Sequence, residues 1–251
     1  MATLARETRT GAWSVSFYTW MAIACVGTAF LGYIPTYWQP LAAGKFAANP
    51  IVHIHGVAMF AWTLFALVQT SLIPSRQLAL HRSMGIAGVS LASFLVALGL
   101  LAALNELRTG VMAGDAPATE AFLTVPLSDI AEFATLFALG VICIRRPDYH
   151  KRLMLLATVA VLNAPVARPY LTWIHPVTGA PPVWINVPVC WFSYLLIVVA
   201  MVYDWRTRGR PHVVYMVALP VLMFLAWAVI PVSETATWHA FAKGYLALGG
   251  H

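Results

Sequence analysis

Charge is what this sequence has least of. Of 251 residues only 10% are Asp, Glu, Lys or Arg, while 61% are hydrophobic. A soluble domain is about a quarter charged. So much apolar side chain has no place on a water-facing surface, which excludes a soluble globular protein. A disordered chain needs the opposite balance, low hydrophobicity with high charge. Cysteine is nearly as scarce: Cys25, Cys143 and Cys190 each sit inside an apolar run, and no CxxC pair exists. That argues against a thiolate metal centre and against a disulfide framework. Catalytic and nucleotide-binding signatures are missing too, with no Rossmann or phosphate-loop glycines, no GxSxG elbow and no HExxH. The last long apolar run has no Lys, so it cannot carry a retinal Schiff base as rhodopsins do.

What is present is a set of seven long apolar runs, roughly 14–36, 50–73, 83–104, 126–144, 152–171, 184–203 and 212–231. Each reaches the length of about 20 residues that a helix needs to cross a bilayer. The expected fold is all-α: a single integral membrane domain, 1–251, built as a seven-transmembrane-helix bundle. Asn49 is a natural cap for the second helix, and Pro50 suits its first position. Pro74 marks its end.

The few basic residues report direction. With the N-terminus inside, 11 Lys and Arg fall in inner segments (Arg6, Arg9, Arg76, Arg82, Arg145, Arg146, Lys151, Arg152, Arg206, Arg208, Arg210). Four fall outside (Lys45, Arg108, Arg168, Lys243). The positive-inside rule then gives a cytoplasmic N-terminus and an external C-terminus. The same rule accounts for the net charge of +6 without a nucleic-acid partner. A long external loop is expected over 105–125.

An internal repeat is visible at an offset of 69 residues. IPSRQLALHRSM and ICIRRPDYHKRL align His81 with His150 and Arg76 with Arg145. Both read as the end of one apolar helix, a basic turn and a His-basic start to the next. Helices 2–3 and 4–5 then read as a duplicated hairpin, a common device in membrane folds.

Ionisable groups inside a span are costly and point to function. They fall in two layers. In the outer layer His53 and His55 open helix 2, Asp129 and Glu132 open helix 4, Asn163 and Arg168 lie near the end of helix 5, and His175 and His239 fall in outer connections. Two residues on a helix is a rotation of about 200°, so His53 and His55 point to opposite sides. His55 shares its face with Met59, Trp62 and Gln69, an interior-looking stripe. Asp129 and Glu132, three apart, share a face as well. Two carboxylates level with imidazoles suit a divalent cation with His53, His55, Asp129 and Glu132 as ligands, or a proton relay. They also suit helix starts, where acids are favoured by the dipole alone. In the inner layer His81 and His150 open helices 3 and 5. They are candidate haem or transition-metal ligands, or headgroup contacts beside Arg and Lys. His212 and His251 carry weaker arguments.

HIHG, then LHR after a basic turn, then HKRLM opening a later helix, resembles a family of uncharacterised bacterial multi-pass membrane proteins over residues 53–168. More distantly the hairpin resembles small membrane proteins implicated in cytochrome oxidase assembly and haem-binding b561-type cytochromes. The resemblance implies a bacterial inner-membrane protein, possible partners among respiratory or other membrane redox proteins, and ligand roles for His53 or His55 with His81 and His150. The b561-type pattern has two facing His pairs; here Asp129 and Glu132 stand where the first hairpin has His53 and His55. The leading expectation is therefore metal or haem binding for redox transfer or metalloenzyme assembly. The alternatives are a proton-coupled small-molecule transporter, with the carboxylates and Arg168 at its site, and a membrane-embedded enzyme acting on a lipid or isoprenoid, with catalytic Asp129 or Glu132 as general acid.

Overall fold

The computed structural model describes residues 15–46 and 49–248. Residue 14, given above as the start of the first apolar run, and Arg6, Arg9 and His251 lie outside the described residues. The chain runs α1 (Phe17–Gly32), α2 (Gln39–Ala42), α3 (Pro50–Leu72), α4 (Leu78–Met112), α5 (Ala116–Phe122), α6 (Thr124–Ile142), α7 (Pro147–Ala160), α8 (Asn163–Pro169), α9 (Asn186–Arg208), α10 (Val213–Ser233) and α11 (Ala236–Ala247). No strand occurs among the described residues. Seven stretches are long and apolar enough to cross a membrane, and the protein is an integral membrane protein of seven helical spans.

The lipid-facing surface explains the composition. Trp191, Leu195, Val198, Val199 and Val202 lie exposed along α9, and Ile86, Phe94 and Leu101 along α4. In water such rows would be an aggregation liability; against acyl chains they cost nothing. The core between the spans is built around Cys25, Trp62, Leu95, Leu156, Ile197 and Tyr215. Helix starts follow the expected signals where a cap is present. Asn49 Oδ1 accepts from the Ile51 N–H at 3.2 Å, with Pro50 at the first helical position.

The connections depart from expectation. The stretch 105–125 is not a long loop: α4 continues to Met112 and α5 follows after three residues. At 35 residues α4 is about 52 Å long, well beyond a bilayer core. Its protruding end packs through Ala103 and Leu107 onto Leu123 and onto Ala242, Trp238 and Tyr245 of α11. His239 is therefore in a helix rather than a connection, with its Nδ1 2.7 Å from Glu120. Below, the end carrying Arg76, Arg145 and Arg208 is called the basic end and the other the far end.

The fifth span is broken. α7 stops at Ala160 and α8 starts at Asn163, with a turn across Val161 and Leu162. The cause is Pro165. Its ring replaces the N–H that would bond the Val161 carbonyl, and clashes with that carbonyl. Wider turns follow at Tyr170–Ile174 and, in the first span, at Ile34–Trp38 beside Pro35. All three irregularities lie in the far half. Backbone of this kind at membrane depth survives where it is buried in protein or lines a cavity.

Candidate functional site

The structure sorts the expected outer-layer residues onto different partners. His53 turns to the periphery: its Nδ1 lies 3.2 Å from Tyr37 Oη and its ring packs edge-on to Phe46. His55 faces inward, as its helical spacing requires. Asp129 accepts a hydrogen bond from Asn163 Nδ2 at 2.9 Å, so the broken fifth span hands its first side chain to the α6 carboxylate. Glu132, 6% exposed, accepts from Tyr194 Oη of α9 at 3.2 Å. Arg168 is exposed, 6.0 Å from the Tyr33 ring centre, and makes no salt bridge to either carboxylate among the described residues.

The four expected metal ligands are thus not gathered together. Among the described residues no group of three or more His, Cys, Asp or Glu is placed to hold a metal ion. The two carboxylates have neutral partners, an amide and a phenol. Such pairing gives each oxygen a donor without fixing a counter-charge. That suits a group that gains and loses protons better than one committed to a cation.

The interior stripe on α3 has a property the spacing alone could not show. His55 Nδ1, Trp62 Nε1 and Gln69 Oε1 are all buried without a hydrogen-bond partner. Each is seven residues from the next, about 10 Å of helix, so the three span about 21 Å along one face. Trp62 meets Phe133 of α6 edge-to-face, with ring centres 5.0 Å apart, which sets this face against the carboxylate-bearing helix. Asn163 Oδ1 is unpaired too. Native proteins leave few buried polar atoms unpaired, and those that remain call for an explanation.

At the basic end the stripe meets the repeated histidines. The backbone of Gln69 lies against His81, whose Nδ1 is buried and unpaired. The His81 and His150 rings sit edge-to-face with centres 6.3 Å apart. His150 Nδ1 is 2.8 Å from the Gly140 carbonyl, which orients the ring. The repeat therefore brings its two histidines together. His212 caps α10 through its Nδ1, and His175 packs on Trp184.

Tyr194, Tyr37 and Asp204 were not singled out from the sequence. Tyr194 and Tyr37 look like any membrane tyrosine until a partner is known. Asp204 could have been found as a lone acid at the end of an apolar run. Arg152, taken for a topology signal only, is buried. Cys25, Cys143 and Cys190 are free.

The chain was compared with protein-family models, curated proteins and solved structures, and matches none of them.

Proposed function

We propose that this chain is a proton-coupled transporter of a small solute, with a polar path along the α3 stripe. The observation that carries the reading is the stripe itself: unpaired buried polar atoms on His55, Trp62 and Gln69, ending at the His81–His150 pair. A structural helix has no use for three unsatisfied groups in lipid, because each costs about 1–3 kcal/mol. A conduction path needs them, since they bond the species passing. Asp129 and Glu132 serve as proton-binding groups in the far half. The broken fifth span beside Asp129 is the feature by which transporters commonly mark their sites. A bacterial inner membrane is the proposed location, from the basic loops.

The test is proton flux. Purified protein in liposomes loaded with a pH-sensitive dye is given a potassium-diffusion potential in the presence of a mixture of amino acids, sugars and small organic acids, since a coupled carrier moves no net proton without its solute. The wild type is expected to acidify or alkalinise the lumen according to the sign of the potential, and Asp129→Asn to be at least tenfold slower. Equal rates for wild type, Asp129→Asn and protein-free liposomes would overturn the reading.

A second reading rests on the other end. His81 and His150 face each other, one with its Nδ1 held by a carbonyl, and two imidazoles so arranged fit haem or transition-metal ligation. A bound haem would supply one-electron transfer, with a membrane redox protein as partner. Absorption spectroscopy and metal analysis of the purified protein test this. A Soret band or stoichiometric metal, lost in His81→Ala and His150→Ala, supports it, and a colourless, metal-free protein refutes it.

A further inference from the structure

A lateral groove of about 810 Å³ opens between α6, α10 and α11, with Tyr149 and Leu153 of α7 at its basic end. Its size is that of a pocket for a drug-sized molecule. The two walls differ in character. α10 contributes only apolar side chains, among them Val217, Val221, Leu225 and Val229. α6 contributes Thr124, Ser128, Glu132 and Thr135. Thr124 and Ser128 spend their hydroxyls on carbonyls of the preceding turn, each at 2.8 Å. Glu132 is then the one carboxyl side chain on the groove among the described residues.

Its position along the groove matters. Glu132 lies eight residues, about 12 Å, from Thr124 at the far end and eleven residues, about 16 Å, from Cys143 at the basic end. That is near the middle of α6, and for a hydrocarbon core of about 30 Å it is far from either interface. Tyr194 bonds Oε2, and no donor reaches Oε1 among the described residues. An occupant made only of hydrocarbon would seal that oxygen without a partner, at a cost of the full desolvation penalty. A phospholipid would keep its headgroup at the interface, about 12 Å away. A second copy of this chain would bring bulky faces such as that of α9, with Trp191 Nε1 as a donor near this depth, and it is the occupant that the cross-linking arm of the test addresses.

We propose that the groove binds one lipid-soluble molecule with a long hydrocarbon chain and a small uncharged hydroxyl head, an alcohol, phenol or hydroquinol. The head donates to Glu132 and the chain lies along α10. The molecule reaches its site sideways from the bilayer. The inference shares Glu132 with the transport reading and otherwise stands apart from it, since the Asp129–Asn163 contact and the α3 stripe are not part of the groove.

Photolabelling of the full chain in phosphatidylcholine nanodiscs tests it, with a diazirine-tagged hexadecanol as probe and mass spectrometry to locate the label. The expected result is saturable labelling concentrated on α6 and α10 around Glu132. Excess hexadecanol should compete, and hexadecyl methyl ether, which has no donor, should compete at least tenfold less well. Glu132→Leu should reduce labelling about tenfold. Ala228→Trp, which fills the groove without touching Glu132, should abolish it and serves if the first variant does not fold. Label spread evenly over lipid-facing residues, or equal competition by alcohol and ether, would overturn the proposal. So would a groove found covered by a second copy in cross-linked dimers. Proton flux read on Asp129→Asn and Gln69→Leu, which leave Glu132 in place, is a separate readout, so failure here leaves the transport reading standing, and the reverse.

Discussion

Arg152 of α7 and Asp204 of α9 form a bidentate ion pair with Nε–Oδ2 at 2.8 Å, and each side chain is only 1% exposed. The pair is tied into its surroundings. Arg152 also donates to the Asp148 carbonyl at 2.7 Å and lies 5.9 Å from the Tyr215 ring centre. Asp204 accepts the His212 backbone N–H at 3.3 Å. Three spans are thus joined at the basic end by one charge contact. Removing a single partner strands a buried charge, which costs about 3–5 kcal/mol. Asp204→Asn and Arg152→Met are each expected to lower the thermal midpoint in detergent sharply. The double variant Arg152→Met with Asp204→Leu should recover much of the loss, because it buries no charge at all. Thermal unfolding followed by tryptophan fluorescence checks both statements.

Where the first span crosses the broken fifth, the backbones touch. A Cβ on Gly32 would collide with the Pro165 carbonyl, and backbone cannot swing aside as a side chain can. Gly32→Ala is expected to destabilise by about 1–3 kcal/mol through overpacking. Gly27, in the same helix, has nothing within 4 Å of its Cβ position. Gly27→Ala should be neutral or slightly stabilising, since alanine is the better helix former. A paired comparison of thermal midpoints separates close approach from helix propensity.

The cap of α10 gives a pH dependence. His212 Nδ1 accepts the Val214 N–H at 3.2 Å, which requires that nitrogen to be unprotonated. Burial, and then the nearby Arg152 charge, push the imidazole below its ordinary value. The unfolded chain, near 6.5, therefore binds the proton more readily than the folded one. The contribution of this group to stability is present above about pH 6.5 and is lost as pH falls through the folded value. Wild type should lose thermal stability between pH 7.5 and 5. His212→Asn, which caps without titrating in this range, should lose less. Equal losses in the two proteins would remove His212 from the explanation.

Most of the fold was legible because a bilayer imposes its rules on composition. Seven apolar runs gave seven spans, and the Asn49–Pro50 start was read correctly. The break at Val161 was readable in principle from Pro165, but apolar length dominates any reading of a span. The helical course of 105–125 was hidden because its residues pack on α11, which is distant in sequence. In the site, facing was legible where partnership was not. Spacing put His55, Trp62 and Gln69 on one interior face, and His53 away from it. It could not show that Asp129 would take Asn163 or that Glu132 would take Tyr194. Those pairings depend on how spans cross, which hydrophobic patterning leaves undetermined.

Gln69 offers the clearest separation of path from scaffold. Its Oε1 is buried without a partner, so it lowers stability rather than raising it. Gln69→Leu keeps the volume and removes the unsatisfied atom. If the amide were structural, the variant would unfold more easily. If it belongs to a conduction path, the thermal midpoint should stay level or rise while dye-detected proton flux falls at least tenfold. Stability given up for activity is the usual mark of a functional group. Trp62→Phe makes the same test one step along the stripe, deleting only Nε1 and part of the ring. A variant that loses stability and keeps its flux would assign the residue to packing and would end the transport reading at that position.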